Sequence, residues 1–163
     1  MDNAIGLAPL KLHNHRDGFF FEKNAEGLVR LNFGPSAKAL LAAHRRSATA
    51  LAREGVNVIL DEVLAMPDMR SLWLEALKGY EVWFVGVHCA LEELERRELA
   101  RGDRHIGQAR GQFGKVHQGM VYDIEVDTTN TSSQIVCESI IAQMRTKARP
   151  ISVATCFLHV QNS

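Results

Sequence analysis

Apolar residues recur at helical spacing in four segments of this chain, and the longest of these segments covers residues 36–54. Its apolar positions lie three or four residues apart, which predicts a helix with one buried face. The positions on that face are Leu40, Leu41, His44, Ala48, Leu51 and Ala52. Ser36 is a preferred capping residue and Gly55 is a stop signal. We expect His44 to be a core histidine with its hydrogen bonds satisfied.

The same spacing predicts three further helices, at 68–78, at 90–100 and from Ser132 or Ser133 to about Lys147. In the helix at 90–100, Leu91, Leu94 and Leu99 are expected to face inward. The charged residues between Glu92 and Glu98 are expected to form a solvated, partly paired surface. In the last helix we expect five apolar residues to be buried: Ile135, Val136, Ile140, Ile141 and Met144.

Two unbroken apolar runs, VNVIL at 56–60 and VWFVGV at 82–87, predict strands that are buried on both faces, as in a parallel sheet. Residues 123–127 alternate between polar and apolar, which predicts a half-exposed edge strand. Phe19 to Glu22 and Leu28 to Phe33 are separated by turn residues and predict a short hairpin. Residues 151–160, after Pro150, also have the pattern of a strand. Alternating strands and helices place the chain in the α/β class, as a single domain over residues 1–163.

Composition narrows the possible functions. Of 163 residues, 46% are apolar, and 19 basic residues balance 19 acidic ones. Because the chain has no large cationic field, neither nucleic acid nor an anionic membrane is the expected partner. No signal peptide opens the sequence, and no run approaches the roughly 20 apolar residues of a membrane-spanning helix. Three widely spaced cysteines predict reduced thiols, and therefore a cytoplasmic protein.

Basic residues concentrate between the helix at 90–100 and the strand at 123–127. Arg101, Arg104 and His105 surround one acid, Asp103. Guanidinium groups match the geometry of phosphate oxygens, so this cluster predicts a clamp for a bound anion. The alternative is a solvated edge between two helices.

Three segments of the sequence carry a family resemblance: GVHC at 86–89, ARGDR at 100–104 and VHQGMVYDIEVDTT at 116–129. Together they resemble the chloramphenicol phosphotransferase family of P-loop kinases, and the resemblance extends from Asp2 to about Ile141. It implies a three-layer α/β fold with a parallel sheet. It also implies transfer of a phosphoryl group from ATP, with Mg²⁺, to a hydroxyl of chloramphenicol or a similar small molecule.

The resemblance also implies roles for individual residues. Asp2 matches the carboxylate that takes the proton from the acceptor hydroxyl, although an acid at this place is otherwise a helix cap or a solvated residue. Arg101 and Arg104 match arginines of a lid, residues 101–119, that reach over the nucleotide phosphates. Asp127 and Thr128 lie where relatives place the adenine. Asp61 corresponds to an acid that holds Mg²⁺, and helix capping is its alternative role.

Residues 1–34 correspond to the side of the family fold that binds the acceptor. Phe19, Phe20 and Phe21 are therefore candidates for an apolar acceptor pocket, although core packing is the alternative for at least one of them. His13 and His15 with Asp17 suggest a metal site, because they lie close together in sequence. However, their spacing does not match that of three convergent ligands in a known type of metal site. We expect a solvated loop there.

One family feature is absent from the sequence: it contains no Gly-x-x-x-x-Gly-Lys-Ser phosphate loop. In the family, the strand that feeds this loop lies at the sheet centre, in the order 2-3-1-4-5. The fold expected here is therefore a P-loop kinase-like fold that lacks the first strand and the phosphate loop. Three arrangements are compatible with this: a truncated reading frame, direct pairing of 56–60 with 82–87, or insertion of the divergent tail, residues 150–163, into the vacant place.

Two functions remain open at this stage. The first is an ATP-dependent phosphotransferase, impaired by the missing loop. The second is a non-catalytic remnant that binds a small molecule or a partner chain. Neither the acceptor nor the oligomeric state follows from the sequence.

Overall fold

The computed structural model describes residues 16–102, 105–147 and 150, and the first element in this part of the chain is a β-hairpin. Strand β1 (Phe19–Lys23) pairs antiparallel with β2 (Val29–Phe33), so that Phe19 lies opposite Phe33 and Lys23 opposite Val29. The Asn24 side chain accepts hydrogen bonds from the amides of Glu26 and Leu28 and so holds the turn. The predicted hairpin is confirmed.

Helix α1 (Pro35–Arg53) follows directly, but its start and its buried face differ from the prediction. Gly34 occupies the N-cap, and the Ser36 hydroxyl instead donates to Asp17 at 3.1 Å. Ala37 and Ala48 are buried, whereas Leu40 and Leu51 are about half exposed. His44 is not a core residue: its side chain is half exposed and pairs with Glu62 at 3.1 Å.

Residues 56–60 form no strand, so this prediction was wrong. Ile59 is 97% exposed, and no strand among the described residues pairs with this segment. An apolar run becomes a buried strand only where a neighbouring strand accepts its backbone hydrogen bonds. The predicted direct pairing of 56–60 with 82–87 is therefore also absent. The tail at 151–163, the other predicted partner, lies outside the described residues.

The second sheet is parallel, as predicted. Strand β3 (Val85–His88) pairs with β4 (Ile124–Asp127), with Val85 opposite Ile124 and His88 opposite Asp127. β3 starts three residues later than expected. The predicted alternation of β4 is confirmed, since Ile124 and Val126 are buried while Glu125 and Asp127 are exposed.

Four further helices are present among the described residues, and three of them match predicted segments. They are α2 (Pro67–Leu77), α3 (Leu91–Arg101), the five-residue α4 (Gln108–Gln112) and α5 (Ser133–Thr146). Ser132 caps α5 through the amide of Ile135. α4 was not predicted.

Two apolar clusters anchor the helices to the sheet. In one cluster, Val136 and Ile140 of α5 pack against Ile124, Val126 and Val85. In the other, leucines of α2 pack with residues around the start of β3: Leu64, Leu74, Leu77, Val82, Phe84 and Met120. The remaining predicted core positions of α5 are exposed, contrary to expectation: Ile135, Ile141 and Met144. Among the described residues, no helix combines the length and apolarity that crossing a membrane requires.

Candidate active site

A cleft of about 630 Å³ opens at the carboxyl ends of β3 and β4. This edge of a parallel sheet is where α/β proteins bind their ligands. His88 and Asp127, the last residues of the two strands, lie in its wall together with Arg97 and Arg101 of α3. Another part of the wall comes from the segment predicted as the lid, residues 101–119, which contributes Ala109, Gln112, Phe113, Gly114, Val116 and His117.

A network of hydrogen bonds at Asp127, Thr128 and Thr129 ties the two strand ends together. The Thr128 amide and hydroxyl both donate to the His88 carbonyl, at 2.8 and 3.0 Å. The Thr129 hydroxyl accepts from the amide of Ala90, the N-cap of α3. The hydroxyl and amide of Thr129 also lower the pKa of Asp127, so this carboxylate is ionised at neutral pH.

Arg97 joins α3 to this turn. Its guanidinium donates to the Thr128 carbonyl at 2.5 Å, to the Thr128 hydroxyl at 3.2 Å and to Glu93 at 2.7 Å. Glu93 also accepts two bonds from Arg96, and these arginine contacts lower its pKa to about 2. Arg97 is therefore a fixed positive charge in the cleft wall. Arg101 lies one turn further along α3, is exposed and lines the same cleft.

Two stacked histidines form another part of the cleft wall. The rings of His88 and His117 are 4.0 Å apart, and His88 Nε2 lies 2.8 Å from Glu125 Oε2. His117 Nδ1 lies 2.7 Å from the Tyr122 hydroxyl. Burial lowers the pKa of His117, with the neighbouring charge of His88 acting in the same direction, and burial raises the pKa of Tyr122. At neutral pH this hydrogen bond therefore joins an un-ionised tyrosine hydroxyl to a neutral imidazole, and the imidazole tautomer sets which of the two groups donates.

The lid is held by two buried ionic side chains. The Glu98 carboxylate accepts hydrogen bonds from the amides of Gly107 and Ala109, at 2.8 and 2.7 Å. Arg70 donates to the carbonyls of Leu64, Lys115, Val116 and Gln118. The prediction that Glu98 is solvated was wrong, since it is 6% exposed. A polar side chain is buried only where hydrogen bonds replace its lost water, as the two amides do for Glu98.

Among the predicted site residues, the structure brings Arg101 and Asp127 to one cleft, with Thr128 bonded to its wall. Asp61 is exposed and is not part of the lining. Asp2 and Arg104 lie outside the described residues. Within the described part of the chain, no three side chains of His, Cys, Asp or Glu are grouped as a metal site.

The three candidate phenylalanines lie on the hairpin and not in the cleft lining. The Phe19 ring packs edge-on against Phe33 at 5.6 Å, and the Arg16 guanidinium lies over Phe20 at 5.7 Å. The Phe21 ring lies 4.1 Å from His105 of the lid. The hairpin thus contacts the predicted lid at His105 and not the lining of the cleft.

Several residues of the cleft were not predicted as site residues: His88, Arg97, Glu98 and Phe113. For His88 the sequence held a signal, because the residue ends an apolar strand at the edge where ligands bind. His117, with Arg110 and Lys115, is a weaker candidate of the predicted lid, expected to face solvent or the acceptor, and it lines the cleft.

Comparison with known proteins gives results of two kinds. The family model described as chloramphenicol phosphotransferase-like protein matches residues 2–145. Two Mycobacterium tuberculosis proteins are each 41% identical over 109 residues, and this alignment covers 66% of this chain and 48% of each relative. They are "Putative O-phosphotransferase MT2714" of strain CDC 1551 / Oshkosh and "Putative O-phosphotransferase Rv2636" of strain ATCC 25618 / H37Rv. The chain therefore spans about half the length of these curated relatives.

Proposed function

The chain belongs to the chloramphenicol phosphotransferase-like family, and we propose that it serves the transfer of a phosphoryl group from ATP to a hydroxyl of a small molecule. The observation that supports this most is the cleft at the carboxyl ends of β3 and β4, which Arg97 and Arg101 line. Fixed cations in such a place offset the negative charge that develops on a phosphoryl group in transfer.

The described residues fit a nucleotide in part. The two arginines suit phosphate oxygens, and the ionised Asp127 suits Mg²⁺ held through water, because Mg²⁺ prefers oxygen ligands and keeps much of its hydration. Bound Mg²⁺ would neutralise phosphate charge during transfer. The roles of Asp61 in Mg²⁺ binding, of Thr128 near the adenine, of Arg104 on the phosphates and of Asp2 as the proton acceptor stay part of the proposal.

The acceptor in this proposal is chloramphenicol or another small hydroxylated compound, which would make antibiotic resistance one consequence of the activity. Two surfaces are candidates for it. Phe19, Phe20 and Phe21 stay candidates on the hairpin. The cleft itself offers an apolar surface formed by Val63, Val87, Phe113 and Val116 beside the polar groups of His88 and His117.

A second candidate function is binding without transfer. It is favoured by one observation, that the sequence contains no Gly-x-x-x-x-Gly-Lys-Ser. That loop cradles the β- and γ-phosphates with backbone amides, so its absence predicts weak affinity for ATP.

Titration calorimetry with Mg²⁺-ATP tests the proposal. We expect weak binding, with a Kd near 1 mM or about −4 kcal/mol. Arg101→Met should weaken it by roughly fivefold, which corresponds to about 1 kcal/mol. Arg46→Met, at an exposed arginine of α1 outside the cleft lining, is the matched control and should leave the Kd unchanged.

The transfer step is tested with γ-³²P-labelled ATP and chloramphenicol, by following the label on the acceptor. Labelled acceptor supports the phosphotransferase. Binding without label supports the second candidate. No heat at millimolar ATP would overturn the proposal that this cleft binds a nucleotide.

A further inference from the structure

The lid is joined to the body of the protein at two separate places by buried charged side chains. At its amino-terminal end, Glu98 of α3 is 6% exposed and uses one carboxylate oxygen for the Gly107 amide and the other for the Ala109 amide. These amides open the five-residue helix α4, so the carboxylate fixes the place where α4 begins.

At the carboxyl-terminal end of the lid, Arg70 of α2 donates hydrogen bonds to backbone carbonyls, whereas Glu98 accepts them from backbone amides. Arg70 is 4% exposed, and its fork of donors reaches the carbonyls of Lys115 at 2.5 Å and Val116 at 3.2 Å, as well as that of Gln118. Its Nε donates to the Leu64 carbonyl at 2.7 Å. One guanidinium thus links α2, the segment before α2 and the end of the lid.

The β1–β2 hairpin also contacts the lid, through the backbone around Gly107 and Gly111. The Val29 amide donates to the Gly107 carbonyl at 3.2 Å. A β-carbon on Gly107 would lie 2.6 Å from the Gly27 carbonyl oxygen, and one on Gly111 would lie 2.6 Å from that of Val29. Both glycines therefore permit a backbone approach that a larger residue would prevent.

We propose that Glu98 and Arg70 are positioning residues that hold residues 107–118 as a preformed wall of the cleft, with Phe113, Val116 and His117 already in place before a ligand binds. Ordering a loop during binding lowers affinity, and a wall that is fixed beforehand avoids that cost. The expected effect of the two residues on ligand affinity rests on the proposed function, whereas their effect on the order of residues 107–118 does not.

Hydrogen exchange on the ligand-free protein tests the lid directly. Glu98→Gln keeps the size of the side chain but leaves one acceptor oxygen for two amides, so exchange at Gly107 and Ala109 should become about tenfold faster or more. Glu95→Gln on the same helix breaks only the exposed pair with Arg110 and should leave both amides unchanged. Exchange in β4 should be the same in all three proteins, which separates a local effect from general destabilisation.

Arg70→Lys is the test at the other end, and it keeps the proposal falsifiable if Glu98→Gln fails to fold. Lysine keeps the charge but lacks the planar fork, so amides at 115–120 should exchange faster while those of β4 do not. Equal acceleration throughout the protein, or none in the lid, would overturn the proposal.

Mg²⁺-ATP calorimetry on the same variants gives the second readout. Weakening by about fivefold in Glu98→Gln, with Glu95→Gln at the wild-type value, supports a preformed wall. If exchange at Gly107 and Ala109 becomes faster while the Kd for Mg²⁺-ATP stays unchanged, the preformed wall is not important for binding. If the wild-type protein itself shows no heat, the proposed function fails while the exchange result still decides the positioning roles.

Discussion

Gly86 in the middle of β3 lies against the ring of Tyr122 so closely that a single methyl group should be disruptive. A β-carbon at position 86 would lie 2.6 Å from Cδ2 and 2.8 Å from both Cε2 and Cγ of Tyr122. Because Cγ is attached directly to the tyrosine β-carbon, rotation of the ring about its own axis does not relieve this contact. The ring has to shift as a whole, and its hydroxyl then leaves His117 Nδ1, 2.7 Å away.

The expected cost of Gly86→Ala follows from three contributions. Overpacking of a closed site costs about 1–3 kcal/mol. Loss of the Tyr122–His117 hydrogen bond adds about 1 kcal/mol. Replacing glycine inside a strand returns about 0.5–1 kcal/mol, because alanine loses less backbone entropy on folding. The free energy of unfolding should fall by about 2 kcal/mol, or roughly 4–8 °C in Tm for a domain of this size.

A double-mutant cycle measured by urea denaturation identifies the cause. In a Tyr122→Val background the ring is gone, so Gly86→Ala should there stabilise the protein by about 0.5 kcal/mol. Tyr122→Phe is the matched control, because it removes the hydroxyl and keeps the ring, and the cost of Gly86→Ala should persist in that background. Equal costs of Gly86→Ala in the Val and Phe backgrounds would refute the steric reasoning.

Two further predictions concern the cleft and α5. Because burial lowers the pKa of His117 below its ordinary 6.5, its NMR titration midpoint should lie below 6.5. The stability that the neutral ring contributes should then be lost as the pH falls from 6.5 through that midpoint. A midpoint above 6.5 would contradict the lowered pKa. Ser132→Ala removes the side-chain cap of α5 and should lower the unfolding free energy by about 1 kcal/mol in urea, whereas Ser133→Ala, within the helix, should change it little.

The elements that the sequence predicted well are those whose signals are local. The hairpin of β1 and β2, the alternation of β4 and the cap at Ser132 each depend on residues a few positions apart. The run at 56–60 shows the limit of such signals. Its composition is that of a buried strand, but a strand also needs a partner, and none of the described strands supplies one.

The candidate site was predictable only at positions that the family resemblance covers. Arg101 and Asp127 follow from the resemblance and meet in one cleft. The stack of His88 on His117 joins residues 29 positions apart, and no periodicity connects them. Arg70 and Glu98 hold the segment that carries His117 through hydrogen bonds to its backbone.

Those two charged residues share a sequence feature, and for Glu98 the predicted solvated surface overlooked it. Glu98 follows Leu91 by seven residues, which is within about 20° of two full turns, whereas Leu99 lies about 80° away. Leu99 is accordingly 64% exposed while Glu98 is buried. Arg70 precedes Leu77 by the same seven residues and is buried on the apolar side of α2. In both helices the buried charge thus lies on the same stripe as a leucine, and its partners include backbone groups of residues 107–118.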